Sequence, residues 1–133
     1  MRKIIYLHSA GALAAAFVLS TAAPAAADSS SCTHHFSGPQ ICVRLEGSDV
    51  WNTPVAIWVN PPKGVKTRQV SLYLNGEMPH FSNNPGRATR VGKTLSYTWS
   101  RSQWEPEDRI CVRFKDIDRV ACERVKSINR AQF

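Results

Sequence analysis

No short catalytic motif occurs in this chain. It has no G-x-S-x-G nucleophile elbow, no H-E-x-x-H zinc helix, no Walker loop and no glycine-rich dinucleotide turn. Those absences exclude the enzyme classes a sequence announces most directly, so no catalytic residue, cofactor or metal is expected. Long apolar runs are lacking beyond Ala27. The longest, Val55-Ala56-Ile57-Trp58-Val59, falls far short of the ~20 residues a helix needs to cross a bilayer, and no membrane partner is expected. There is no Asn-x-Ser/Thr acceptor, since the nearest candidate reads Asn52-Thr53-Pro54. No repeat of 20–50 residues and no low-complexity stretch follows Ala27. Acidic side chains are also scarce, with ten Asp and Glu against seventeen Lys and Arg.

What is present begins with an address. Arg2 and Lys3 form a positive n-region, Ile4 to Leu19 an Ala-rich apolar stretch, and Ala25-Ala26-Ala27 a small-residue cleavage site before Asp28. Residues 1–27 read as a secretory signal peptide and 28–133 as a single domain. A domain of that size buries roughly 65% of the surface its unfolded chain exposes. The protein is expected to be secreted, extracellular and monomeric. Without Arg2 and Lys3, fifteen basic side chains face ten acidic ones. That surplus suits an anionic partner such as a cell-wall polymer or an acidic glycan, though it also keeps an exported domain soluble. Nucleic acid is not an expected partner.

All four cysteines, Cys32, Cys42, Cys111 and Cys122, follow the signal. An even count in a short exported domain reads as two disulfides. The C-x9-C and C-x10-C spacings favour local bridges, 32–42 and 111–122, each closing a hairpin-sized loop. Ser37-Gly38-Pro39 supplies a turn in the first; in the second, Val112 would face Ala121 and Phe114 would face Arg119. The competing pairing is an inter-sheet 42–111 bridge, because Ile41-Cys42-Val43-Arg44 and Ile110-Cys111-Val112-Arg113 look like neighbouring strands. Cys32, His34, His35 and Cys42 have zinc-ligand chemistry, but their spacing fits no usual structural-zinc pattern.

Strand signals dominate the domain. Ile41–Glu46 is a short β run, and Pro54–Asn60, Gln69–Asn75 and Thr94–Ser100 alternate with period two. Asn75-Gly76 is a strong hairpin turn, with Glu77–Phe81 as an irregular returning strand because of Pro79. Arg109–Lys115 and Arg119–Val125 follow, the latter with a helical alternative over 119–130 and a helical turn near 127–131. Together these predict an all-β fold: an antiparallel two-layer sandwich, immunoglobulin-like, of about seven short strands.

Asn60-Pro61-Pro62-Lys63-Gly64-Val65, Ser71-Leu72-Tyr73-Leu74-Asn75-Gly76 and Cys111-Val112-Arg113-Phe114, with the Ala-rich export signal, resemble small secreted β-sandwich proteins of actinomycetes that have no assigned activity. The resemblance carries no catalytic motif, so it transfers no functional residue. Secreted hydrolase inhibitors of similar size are a second comparison. This chain lacks the Trp-Arg-Tyr tripeptide of the amylase inhibitors and the cysteine spacing of the subtilisin inhibitors.

The tryptophans are the best binding clue. Trp99 shares a face with Leu95 and Tyr97 and reads as core. Trp58 lies opposite Val55, Ile57 and Val59, so strand period points it outward. Tyr73 likewise lies opposite Val70, Leu72 and Leu74, and Trp51 and Trp104 fall in loops. Lys63, Lys66 and Arg68 would add a positive rim to a Trp58–Tyr73 patch. His34, His35, His80 and the cluster Glu105, Glu107, Asp108 read as surface and turn residues. Two functions from different classes follow: a non-catalytic extracellular binding module for polysaccharide, cell wall or protein, and a secreted hydrolase inhibitor presenting a rigid loop at Asn60–Lys66 or Asn83–Arg90.

Overall fold

The computed structural model describes residues 28–127 apart from His35, Ser37 and Ser82. The export signal and the turn expected beyond Ser127 lie outside the described residues. Nine strands follow in chain order: β1 Ser29–Cys32, β2 Gln40–Ser48, β3 Trp51–Val59, β4 Thr67–Leu74, β5 Gly86–Val91, β6 Thr94–Thr98, β7 Ser102–Gln103, β8 Arg109–Phe114 and β9 Val120–Arg124. Every pairing is antiparallel, in the order β1-β2-β3-β6-β5-β4-β8-β9, with β7 added beside the start of β3.

The sheet curls until β9 lies against β1 and β2. Arg119 fastens that seam, its guanidinium donating to the His34 carbonyl at 3.0 Å. The result is a nearly closed, barrel-like sheet of nine strands rather than a clear seven-strand sandwich. Ile41, Val43, Leu45, Ala56, Trp58, Val70, Leu72, Leu95, Ile110, Val112 and Phe114 fill its interior. Both disulfides are the local ones. Cys32–Cys42 and Cys111–Cys122 each join directly opposed residues of adjacent strands, with Cα atoms 4.0 Å apart. The repeated Ile-Cys-Val-Arg tetrads do not sit side by side, because β2 and β8 are not paired. In each, Ile and Val point inward while the Cys bonds across to the next strand.

Three strands escape sequence reading. β1 is Ser-Ser-Ser-Cys and β7 is only two residues long. β5 buries only Gly86 and Ala88, residues too small to leave an apolar period. Gly86 is favoured there, since a Cβ would collide with the Tyr97 ring. The Asn75-Gly76 turn does form, both residues at positive φ, and Leu74 and Glu77 exchange both backbone hydrogen bonds. The expected strand over Glu77–Phe81 does not: the chain leaves after that single bridge, and β5 pairs with β4 instead. Beyond that pairing, the Asn84 amide takes over, accepting from the Leu72 N–H at 2.9 Å and donating to its carbonyl at 3.0 Å. Residues 120–124 are strand, and Val125 extends the pairing through hydrogen bonds with Glu107 and Asp108.

Candidate functional site

The antiparallel order collects alternate connections at opposite ends of the barrel. One end holds the β1–β2 loop, the Asn60–Lys66 crossover, the Gly92-Lys93 turn and the 115–119 turn. The other holds the β2–β3 turn, the 75–85 loop and the 99–108 segment. Charge follows this division. Lys63, Lys66, Lys93, Lys115 and Arg119 stand in the first set of connections, with Asp116 and Asp118 as its acids. Asp49, Glu77, Glu105, Glu107 and Asp108 stand in the second with Arg101, while Arg109, Arg124 and Lys126 flank it at the ends of β8 and β9. The sequence carries the signal for this: between Val50 and Trp104 Glu77 is the sole acid. Net charge alone does not reveal this distribution; the order of the connections does.

The expected patch of Trp58 and Tyr73 does not form. Trp58 is 4% exposed and faces inward, its ring 5.8 Å from that of Phe114 across the core. β3 is apolar on both faces, burying Val55 on one and Ala56 and Trp58 on the other, so alternation alone cannot say which face is inner. Register decides, because Trp58 stands between the inward Ile41 of β2 and Leu95 of β6. Trp104 is also core, 5% exposed, with its indole N–H donating to the Asn52 carbonyl at 3.1 Å. Trp51 is the exposed tryptophan, 46% accessible at the acidic end, with the Arg101 guanidinium 5.8 Å from its ring centre. Tyr73 is half-buried on the outer face of β4, three strands from β3 in the sheet order.

The basic side chains do come together. Lys63 and Lys66 are exposed on the crossover. Arg68 folds over the barrel mouth, 5.4 Å from the Trp58 ring centre, and donates to the Lys115 carbonyl at 2.9 Å. Trp58 is thus the floor beneath an arginine of this end rather than part of its surface. The crossover is held firmly. Arg90 donates to the carbonyls of Val65, Pro61 and Pro62, the shortest at 2.7 Å, and Asn60 donates to Lys93 at 2.9 Å.

From Lys115 the basic surface continues down the outer face of β4, β8 and β9. Alternation places Arg109, Cys111, Arg113 and Lys115 on one side of β8, and Tyr73 stands opposite Cys111 in register. Three adjoining depressions of about 210, 420 and 300 Å³ cross this face. Arginine at alternate positions of a strand is legible in the sequence, but the face it marks emerges only once β4 and β9 are set beside β8.

Asp108 accepts from the Glu105 N–H and the Asn75 amide, both at 2.9 Å, which is turn chemistry. Among the described residues no cluster of three His, Cys, Asp or Glu side chains is placed to hold a metal ion, and no helix is long and apolar enough to cross a membrane. Comparison with known protein families, curated proteins and solved structures gives no match.

Proposed function

We propose that this protein is an exported, non-catalytic binding module for an anionic extracellular partner, which docks on the basic end of the barrel. The supporting observation is the segregation of charge: Lys63, Lys66, Arg68, Lys93 and Lys115 gather at one end while most acids lie at the other. Such a field steers and orients a partner of opposite sign. Export rests on residues 1–27, and two disulfides suit an oxidising compartment. We also infer an immunoglobulin-like arrangement. Without β1 and β7, the order β2-β3-β6-β5-β4-β8-β9 corresponds to A-B-E-D-C-F-G, with the β4–β5 pairing joining the two layers.

Co-sedimentation with insoluble acidic and neutral polysaccharides tests this reading. Retention on the acidic matrix alone, lost when Lys63, Lys66, Lys93 and Lys115 are all changed to Gln, is the expected result. Equal retention of that variant defeats the proposal. One observation favours a second reading, a hydrolase inhibitor. The Asn60–Lys66 crossover exposes Pro62, Lys63, Gly64 and Lys66, and Arg90 braces it through three carbonyls. Inhibition of a secreted hydrolase that disappears in Lys63→Asp would favour it over the polysaccharide reading.

A further inference from the structure

We propose that the outer face of β4, β8 and β9 is a saccharide subsite. A linear polysaccharide bearing carboxylates would lie along β8 with one sugar ring on Tyr73 between Arg109 and Arg113. This rests on the binding-module reading above and names the class of its partner.

The middle depression, about 420 Å³, carries the argument. Its lining joins Tyr73, the Cys111–Cys122 bridge and Val120 with Arg109 and Arg113. An apolar floor under two cations matches a sugar ring, whose C–H face stacks on an aromatic while its carboxylate reaches sideways. Arginine rather than lysine at both places suits carboxylate, because the planar fork makes paired hydrogen bonds.

The cations are available. The Arg109 side chain has no ion-pair partner among the described residues, and Arg113 holds two long, exposed contacts, one to the Ile117 carbonyl at 3.3 Å and one to Asp118 at 3.4 Å. Arg109 also stands directly opposite Arg124 in the β8–β9 register, a like-charge pairing that Glu107 offsets through an exposed 3.7 Å contact with Arg124 and that an anion between the two arginines would relieve further. Arg109 and Arg113 lie four positions apart on β8, roughly 13 Å along the strand, so one extended chain passes both. Tyr73 and Arg113 also line the upper depression, and Arg109 the lower, which makes the three a continuous track toward Lys115 and the basic end. Single-stranded nucleic acid fits less well, because it needs successive stacking rings and this face offers one.

The test is calorimetric titration with oligogalacturonate, a heparin oligosaccharide, polyphosphate and a single-stranded oligonucleotide at one salt concentration. Tyr73→Ala should weaken oligogalacturonate binding at least about tenfold, Tyr73→Phe should restore it, and polyphosphate binding should be unaffected by either. Arg109→Gln and Arg113→Gln, both surface changes, should each weaken the uronate further and leave the fold intact by near-ultraviolet circular dichroism. The inference is overturned if Tyr73→Ala and both arginine variants bind oligogalacturonate as the parent does. It is equally overturned if polyphosphate or the oligonucleotide binds more tightly than both the uronate and the heparin oligosaccharide in the parent. Failure of the wider reading looks different: no polyanion binds at all, or binding ignores Lys63 and Lys66. Loss of binding through Lys63 and Lys66 variants with no effect of Tyr73, Arg109 or Arg113 overturns the saccharide subsite alone.

Discussion

Trp58→Ala should destabilise the domain by about 3–5 kcal/mol, the usual consequence of truncating a buried aromatic. Its ring is closed in by Phe114 on one side and by Arg68 at the mouth of the barrel. Trp51→Ala, at an exposed site, should change stability by no more than about 0.5 kcal/mol. Urea denaturation of the two variants checks both, and a reversed ranking would place β3 the other way round. These residues also mark how far side-chain period can be read. Tyr73 and Leu72 take the sides their alternation predicts because only one face of β4 is apolar. Trp58 does not, because both faces of β3 are apolar and only the neighbouring strands choose between them. The arginines that line the proposed track were in view throughout, but a strand's outer face has no signature until a neighbouring strand is set beside it.

At the scale of elements, strands with a strong apolar period, such as β2, β4, β6 and β8, were readable, and so were both local disulfides. β5 was not, because Gly86 and Ala88 are the residues it buries. The Asn84 amide that extends β4 was not either, since a side chain standing in for a strand leaves no pattern. Asn84→Ala should cost about 1–3 kcal/mol by leaving the Leu72 backbone groups unpaired, and should speed hydrogen exchange at the Leu72 amide. Unchanged exchange there would mean that water replaces the amide at no loss. Replacing Cys111 and Cys122 together by Ala should lower stability by about 2–4 kcal/mol. The pair ties β8 to β9, where Ala121 and the following Val125 are core, so it should matter more than Cys32–Cys42, which ties down the short, polar β1. Equal losses from the two bridges would show that β9 is held by its apolar side chains alone.

For the whole molecule, the antiparallel order turns a modest charge surplus into a directed one. Connections that leave β3, β5 and β8 emerge at one end and carry lysines; those that leave β2, β4 and β7 emerge at the other and carry carboxylates. Exposed charges separated by more than a Debye length of ~8 Å are largely screened at physiological salt, so each end acts on a partner through its own residues. Affinity for any polyanion should therefore fall steeply as salt rises, and the fall should shrink when Lys63 and Lys66 are neutralised. The most direct measurement is the pattern of amide chemical-shift changes in the 15N-labelled protein during titration with oligogalacturonate. The account predicts that shifts concentrate on the crossover from Lys63 to Arg68, on Tyr73, and along β8 from Arg109 to Lys115. Shifts confined to the acidic end around Trp51 and Arg101, or shifts absent at saturating ligand, would contradict it.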